Sequence, residues 1–476
     1  MIVRALLGLA LLPCLAVASF VKTGSDCHIV PQPFNEEGHA QDDSPFIKQA
    51  FDECGHDGRV IFEPGVFNIE QVLNTTGLVN CDVVLKGELR FSDDIPYWLK
   101  NSIWVIYQNQ HTAWLFGGEN VTFTTEEGGF HNGNGQAWYT QNRNRANQPG
   151  RPISMTFYRS KNLTVDGLSF IQPQFWAVHV WESEQVVLRN IYITATSNDQ
   201  WGTVNTDGAD TWNSRDVLFE NWDVTNGDDC IAVKGNSTNI TIRNATCHHG
   251  NGMTIGSVGE YPEWPDYVEN ILFEDVKLFG TEEGAYIKIW QGEPSGDSDN
   301  GAGGGGGSGY VKNVTFRNFE LTDVPLPIQI SQCIYTEGSG KCDSSKMQVA
   351  NITWENFKGT SRFNIAASIH CVKTHPCPGL YFKDVDLKSV NETLGLPLTN
   401  TDLPFEVFQC ANIVNQNSTS NIPCNWYAPN NFNQHVNGNI RSSEYEQKKA
   451  VAAGNVLEKV KQLVWRLSQS LLRPFI

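Results

Sequence analysis

Four acidic and amide side chains recur in one stretch of the chain at nearly constant spacing. Asp207 lies in "NTDGAD", Asp228 and Asp229 lie in "GDDC", and Asn251 lies in "GNG". Asp207 precedes Asp228 by 21 residues, and Asp229 precedes Asn251 by 22. Two adjacent aspartates against the apolar run Ile231–Val233 oppose folding unless a task requires them. A close carboxylate cluster cannot ionise fully, so one member stays protonated while another stays charged. An acid beside a base is what hydrolysis of a glycosidic bond needs. Lys288, in "YIKIW", is the one strand-borne cation the pattern places with the aspartates, and it suits an anionic sugar. For any single Asp, a turn hydrogen bond to its own backbone explains the residue as well. For the set in common register, catalysis is the stronger reading. A Ca²⁺ site is the other use of such a cluster, but no metal or other cofactor is expected here.

The spacing has meaning only if the chain coils with a fixed period. One pattern recurs along it: a polar corner residue, alternating apolar positions, a polar pair, then more apolar residues. Examples are "NLTVDGLSF" from Asn162, "DVLFENWDV" from Asp216, "NITIRNATC" from Asn239, "NILFEDVKL" from Asn270 and "NVTFRNFEL" from Asn313. The alternation marks strands, and the period falls in the solenoid range. With no helical pattern between copies, the expected fold is all-β, a right-handed parallel β-helix in which residues one coil apart stack on one face. A β-sandwich accounts for the strand number but not for the recurring Asn-x-Thr register.

A solenoid end must be covered. "SPFIKQAFDECG" predicts a short N-terminal capping helix with Ser44 as N-cap, Pro45 in the first turn and Gly55 at its end. Leu457, Val460, Val464, Leu467 and Leu471 follow helical spacing and predict a C-terminal amphipathic helix.

The start of the chain has Arg4, an apolar run at Ala5–Leu15 and Ala16-Val17-Ala18, the pattern of a secretory signal peptide. The expected division is a leader at 1–18, a β-helix domain at 19–430 and an extension at 431–476, in a secreted, monomeric, non-membrane protein. Twelve cysteines fit an oxidising compartment. Local spacing suggests Cys27–Cys54, Cys230–Cys247, Cys333–Cys342, Cys371–Cys377 and Cys410–Cys424, which leaves Cys81 free. No Cys/His grouping has zinc-site spacing. Sequons begin at Asn74, Asn120, Asn162, Asn236, Asn239, Asn244, Asn313, Asn351, Asn391 and Asn417. A formal charge of −18 argues against a nucleic-acid partner.

Asn205-Thr206-Asp207, Gly227-Asp228-Asp229 and the cysteine that follows resemble the polygalacturonase family of pectin-degrading glycoside hydrolases. The resemblance extends from about Cys27 to about Cys377. It implies hydrolysis of α-1,4-galacturonosyl bonds with inversion, Asp228 as general acid, and Asp207 and Asp229 holding the water. It also implies Asn205, Asn251, Tyr286 and Lys288 as substrate-binding residues, with Lys288 on a galacturonate carboxylate. Two positions depart from the family pattern. The usual Gly-His-Gly is Gly250-Asn251-Gly252, and Arg-Ile-Lys is Tyr286-Ile287-Lys288. These changes resemble the exo-acting fungal branch, the galacturan 1,4-α-galacturonidases. So does an insert whose run Gly303–Gly307 reads as a flexible loop able to close one end of a groove. The alternatives are an exo-hydrolase of rhamnogalacturonan, a non-catalytic pectin-binding β-helix and, last, a lyase.

Overall fold

The computed structural model describes residues 20–126, 128–145, 147–294, 304–334, 342–393, 406–414 and 421–427. The leader, the sequon at Asn417, and the C-terminal extension with its expected helix lie outside the described residues. The chain winds as a right-handed parallel β-helix. One face is the sheet Pro152–Tyr158, Val178–Trp181, Ala209–Trp212, Ile231–Val233, Met253–Val258, Glu283–Ile289 and Leu326–Ser331, each strand parallel to the next. Longer strands, among them Arg215–Thr225, Ser237–His248, Asp266–Phe279 and Ser308–Val324, form the other walls in the same way.

The recurring Asn of the sequence pattern is a corner. Asn120, Asn162, Gln185, Asp216, Asn239, Asn270, Asn313 and Asn351 all have φ between 54° and 59°. That left-handed conformation is disfavoured for most L-residues and tolerated best by Asn and Asp. The corner side chains also bond along the helix axis. Asn270 Nδ2 donates to Asn239 Oδ1 (3.1 Å), Asn313 to Asn270 (3.2 Å) and Asn351 to Asn313 (3.2 Å). Several sequon asparagines therefore have a structural reason to be present that is independent of any glycan.

Inward-facing residues fill the bore. Phe273, Phe316 and Trp354 stack on successive coils, with ring centroids 4.8 and 6.2 Å apart. The capping helix spans Ser44–Cys54 and buries Ile47, Ala50 and Phe51 over the first coil, pinned by the Cys27–Cys54 disulfide. Its N-cap is Asp43, not Ser44. Ser44 is buried, and its hydroxyl accepts from the backbone N–H of Glu70 and Gln71 (both 3.1 Å), so it fastens the cap to the next coil instead. The other four expected disulfides are formed as well, and Cys81 is free and buried.

One segment departs from coil-on-coil contact. Ile103–Val105 pairs antiparallel with the start of Gln110–Thr125, and the strap between them reaches along the sheet. The Tyr107 ring stacks on Trp212 (4.7 Å), and its hydroxyl donates to the carbonyl of Ser257 (3.1 Å). Gln108 Nε2 donates to Glu260 Oε2 (2.8 Å).

Candidate active site

The register that stacks the strands also assembles the aspartates. Ala209 pairs with Ile231, and Ile231 pairs with Met253. Two residues upstream, that register puts Asp207, Asp229 and Asn251 in one row, with Asp228 beside it. The row therefore joins Asp207 to Asp229, where the sequence spacing had matched Asp207 with Asp228. Asp207, Asp228 and Asp229 each present a carboxylate oxygen, and these oxygens all lie within 4.8 Å of one another. Such a trio could geometrically hold a cation.

Backbone fit explains the glycines of the motif. A Cβ on Gly227 would lie 2.4 Å from the carbonyl oxygen of Thr203, and one on Gly208 would lie 2.3 Å from that of Cys230. Asn226 Nδ2 donates to the carbonyls of Thr206 (2.9 Å) and Asp229 (2.7 Å), tying the two acidic turns together. The Cys230–Cys247 disulfide anchors the second turn from inside.

Each carboxyl has its own environment. Asp228 Oδ2 accepts from Asn205 Nδ2 (3.2 Å), and Oδ1 accepts from Asn251 Nδ2 (3.0 Å) and from the N–H of Asp229 (2.9 Å). Asn205 and Asn251 thus contact the proposed acid itself. Burial, then the charge of Asp229, pushes Asp228 above the usual carboxylate range. Asp207 is pushed further up, by burial and then by the neighbouring Asp228. Asp229 goes the other way: burial raises it, but Lys288 and Lys234 more than offset that and hold it low. Its Oδ2 accepts from Lys288 Nζ (2.5 Å) and its Oδ1 from Thr254 Oγ1 (2.9 Å). Lys288 is therefore engaged with Asp229. Tyr286 is buried, and its ring centroid lies 5.9 Å from the Lys288 ammonium.

Lys288 is not the only cation here, contrary to the sequence reading. Lys234, 3% exposed, pairs with Asp210 Oδ1 at 3.1 Å. Both were legible in principle, since alternation from Ile231 turns Lys234 outward beside Trp212. Glu283, one coil beyond Asn251, was also missed; burial pushes its carboxyl up to about 8. Its place depends on the length of the turn after Asn251, which no short motif encodes. Of the glycine run, Gly303 and the preceding residues from 295 lie outside the described residues, while Gly304–Gly307 are buried against the coil, with Gly305 N–H donating to Glu260 O (2.7 Å) and Gly306 N–H to Gln291 O (2.8 Å). Small size allows this packing; a Cβ on Gly304 would meet the Trp290 ring at 2.3 Å.

The family described as "Glycosyl hydrolases family 28" matches residues 65–403, which include all of these site residues. This chain belongs to glycosyl hydrolase family 28. Within the family it is 37% identical to a protein of Aspergillus niger assigned as galacturan 1,4-alpha-galacturonidase A, over 78% of this chain and 90% of that one. It is 34% identical to an exopolygalacturonase of Cochliobolus carbonum, over 79% and 82%. An alpha-L-rhamnosidase of Aspergillus niger is 36% identical over 74% and 82%. Among solved structures, the family 28 fold superposes on an endo-xylogalacturonan hydrolase from Aspergillus tubingensis with a TM-score of 0.69 and 25% identity, covering 85% of this chain and all of that one.

Proposed function

We propose that this glycoside hydrolase is an exo-acting enzyme that releases galacturonic acid from the ends of pectic polygalacturonate. Asp228 gives its proton to the departing glycosidic oxygen. Asp229, held ionised by Lys288 and Lys234, takes the proton of a water that attacks the anomeric carbon. Asp207, raised by its neighbours, orients that water. The C–O bond breaks as the new one forms on the opposite face, so the configuration inverts. The observation that carries exo action is the covered floor of the sheet. His179, Asp210 and Thr254 are wholly buried and Trp212 nearly so, with the strap at Tyr107 lying on that floor. An endo-acting groove needs such a floor open on both sides of the aspartates. Five disulfides fit a secreted protein working on cell-wall pectin.

A rhamnogalacturonan exo-hydrolase is the second reading. The rhamnosidase relative favours it. Incubation with polygalacturonate and, separately, with rhamnogalacturonan oligomers decides between them. Early monomeric galacturonate from the first substrate supports the proposal. Mixed oligomers from it, or products only from the second, refute it.

A further inference from the structure

Glu283 carries a carboxyl that the reaction above does not use. Asp207, Asp229 and Asn251 each stand two residues before an inward-facing residue of the sheet, namely Ala209, Ile231 and Met253. Glu283 stands two before Ala285, which pairs with Met253, so it extends the same row by one rung. The turn that carries it is fixed to its neighbours. The Glu282 N–H donates to the carbonyl of Gly250 (2.7 Å), and the Leu326 N–H to that of Glu282 (3.1 Å). Thr281 Oγ1 donates to the carbonyl of Glu283 itself (2.7 Å). The Glu282 side chain is taken by Arg362 Nη1 (3.5 Å), whereas the Glu283 carboxyl has no hydrogen bond or ion pair among the described residues.

Solvent reaches this part of the site. Asn205, Asp228, Asn251, Glu283 and Lys288 are each partly exposed, while Asp207 and Asp229 are buried. The open edge of the site therefore runs from Asn205 past the acid to Glu283. Desolvation pushes the Glu283 carboxyl up to about 8, and the charges of Lys288, Asp229 and Asp228 all act on it. In acid it is neutral, so it can donate as well as accept a hydrogen bond and does not repel a polyanion. Adjacent rungs are ~4.8 Å apart, which leaves about 10 Å between the Asp229 and Glu283 rungs, room for one sugar ring over Asn251. In an inverting displacement the water and the leaving oxygen stand on opposite faces of the reacting carbon. On the reading above, Asp207 orients the water from the N-terminal side of Asp228, so the leaving sugar lies on the other side, toward Asn251 and Glu283.

We propose that Glu283 is a binding residue for the sugar on the leaving side of the scissile bond, its carboxyl exchanging hydrogen bonds with that sugar's hydroxyls. The fixed backbone of residues 281–283 holds the group in place before substrate arrives, so little ordering is needed on binding. The inference rests on the exo reading above and adds the group that holds the departing chain.

The test compares digalacturonate with α-galacturonosyl fluoride, which presents the same reacting sugar but no leaving sugar. Glu283→Ala should lose about 3- to 10-fold more in kcat/KM on digalacturonate than on the fluoride, the worth of a neutral hydrogen bond. Glu283→Gln, which keeps a donor and an acceptor, should restore most of that difference. Equal losses of Glu283→Ala on both substrates would make Glu283 a structural residue and overturn the proposal, and so would a Gln variant as impaired as Ala. A second measurement needs no turnover. In the Asp228→Asn protein, adding Glu283→Ala should weaken digalacturonate binding by calorimetry by a similar factor, and unchanged binding also overturns the proposal. Wild-type enzyme that cleaves the fluoride but not digalacturonate would instead refute the exo reading, and the leaving-side contact with it.

Discussion

Asp266 provides a quantitative test of how burial sets charge in this fold. It opens the strand Asp266–Phe279, and its Oδ2 accepts from the backbone N–H of Gly259 (2.7 Å). Burial pushes its carboxyl up from 3.8 to about 7, against the lowering effect of the Gly259 hydrogen bond, with Glu260 adding to the rise. A raised carboxyl binds more protons folded than unfolded. Its contribution is therefore fully present below 3.8 and is lost as pH rises through 7. Between pH 5 and pH 8 that linkage removes about 2.5 kcal/mol from the folded state, at ~1.4 kcal/mol per unit. Asp266→Asn substitutes a neutral acceptor for a carboxyl that is already mostly neutral at pH 5. The variant should thus melt within a degree or two of wild type at about pH 5, and its advantage should grow steadily toward pH 8. Scanning calorimetry of both proteins across that range measures the difference directly. A gap between the two melting temperatures that stays constant with pH would refute the assignment of charge burial to Asp266.

Four further outcomes follow from the site. Asp228→Asn should reduce kcat by about 10²- to 10⁴-fold with an unchanged circular dichroism spectrum, because an amide cannot deliver the proton; retained activity would remove the mechanism. Lys288→Met takes away a cation that holds Asp229 low, so the acid limb of the pH–kcat profile should move to higher pH; an unmoved limb would show that Lys288 does not tune Asp229. Proton NMR of early product should show the β anomer of galacturonic acid first, whereas the α anomer would mean retention. Replacing Cys230 and Cys247 together by Ser opens a 17-residue loop and should cost about 3 kcal/mol in urea unfolding, while a neutral result would contradict the anchoring of the acidic turn.

The coil architecture was legible because corner and core leave separate marks. Asn and Asp at left-handed corners repeat with the coil, and between them the β-branched residues alternate. The aspartates were legible because short turns keep Asp207, Asp228 and Asn251 near one coil apart. Lys234 and Glu283 were not picked out. Glu283 reaches the site through register set by a connection of different length, and Lys234 has only strand alternation to announce it. Glycine misled for a physical reason: absence of a side chain signals freedom in sequence, but beside Trp290 it permits close packing.

The strap at Tyr107 has a bearing on how the molecule comes apart. In a simple solenoid each repeat touches only its neighbours, so unfolding can proceed by unzipping from either end. Here Tyr107 bonds to Ser257 across 150 residues of chain and also stacks on Trp212, several coils away. Coils from Gln110–Thr125 to Met253–Val258 are thereby joined into one cooperative block. Loss of any coil inside it releases the strap and uncovers the sheet floor. Coils beyond Met253–Val258 lie outside that tie. Hydrogen exchange should accordingly show a uniformly protected block between Gln110–Thr125 and Met253–Val258, followed by a C-terminal run whose protection declines coil by coil toward Val407–Ala411.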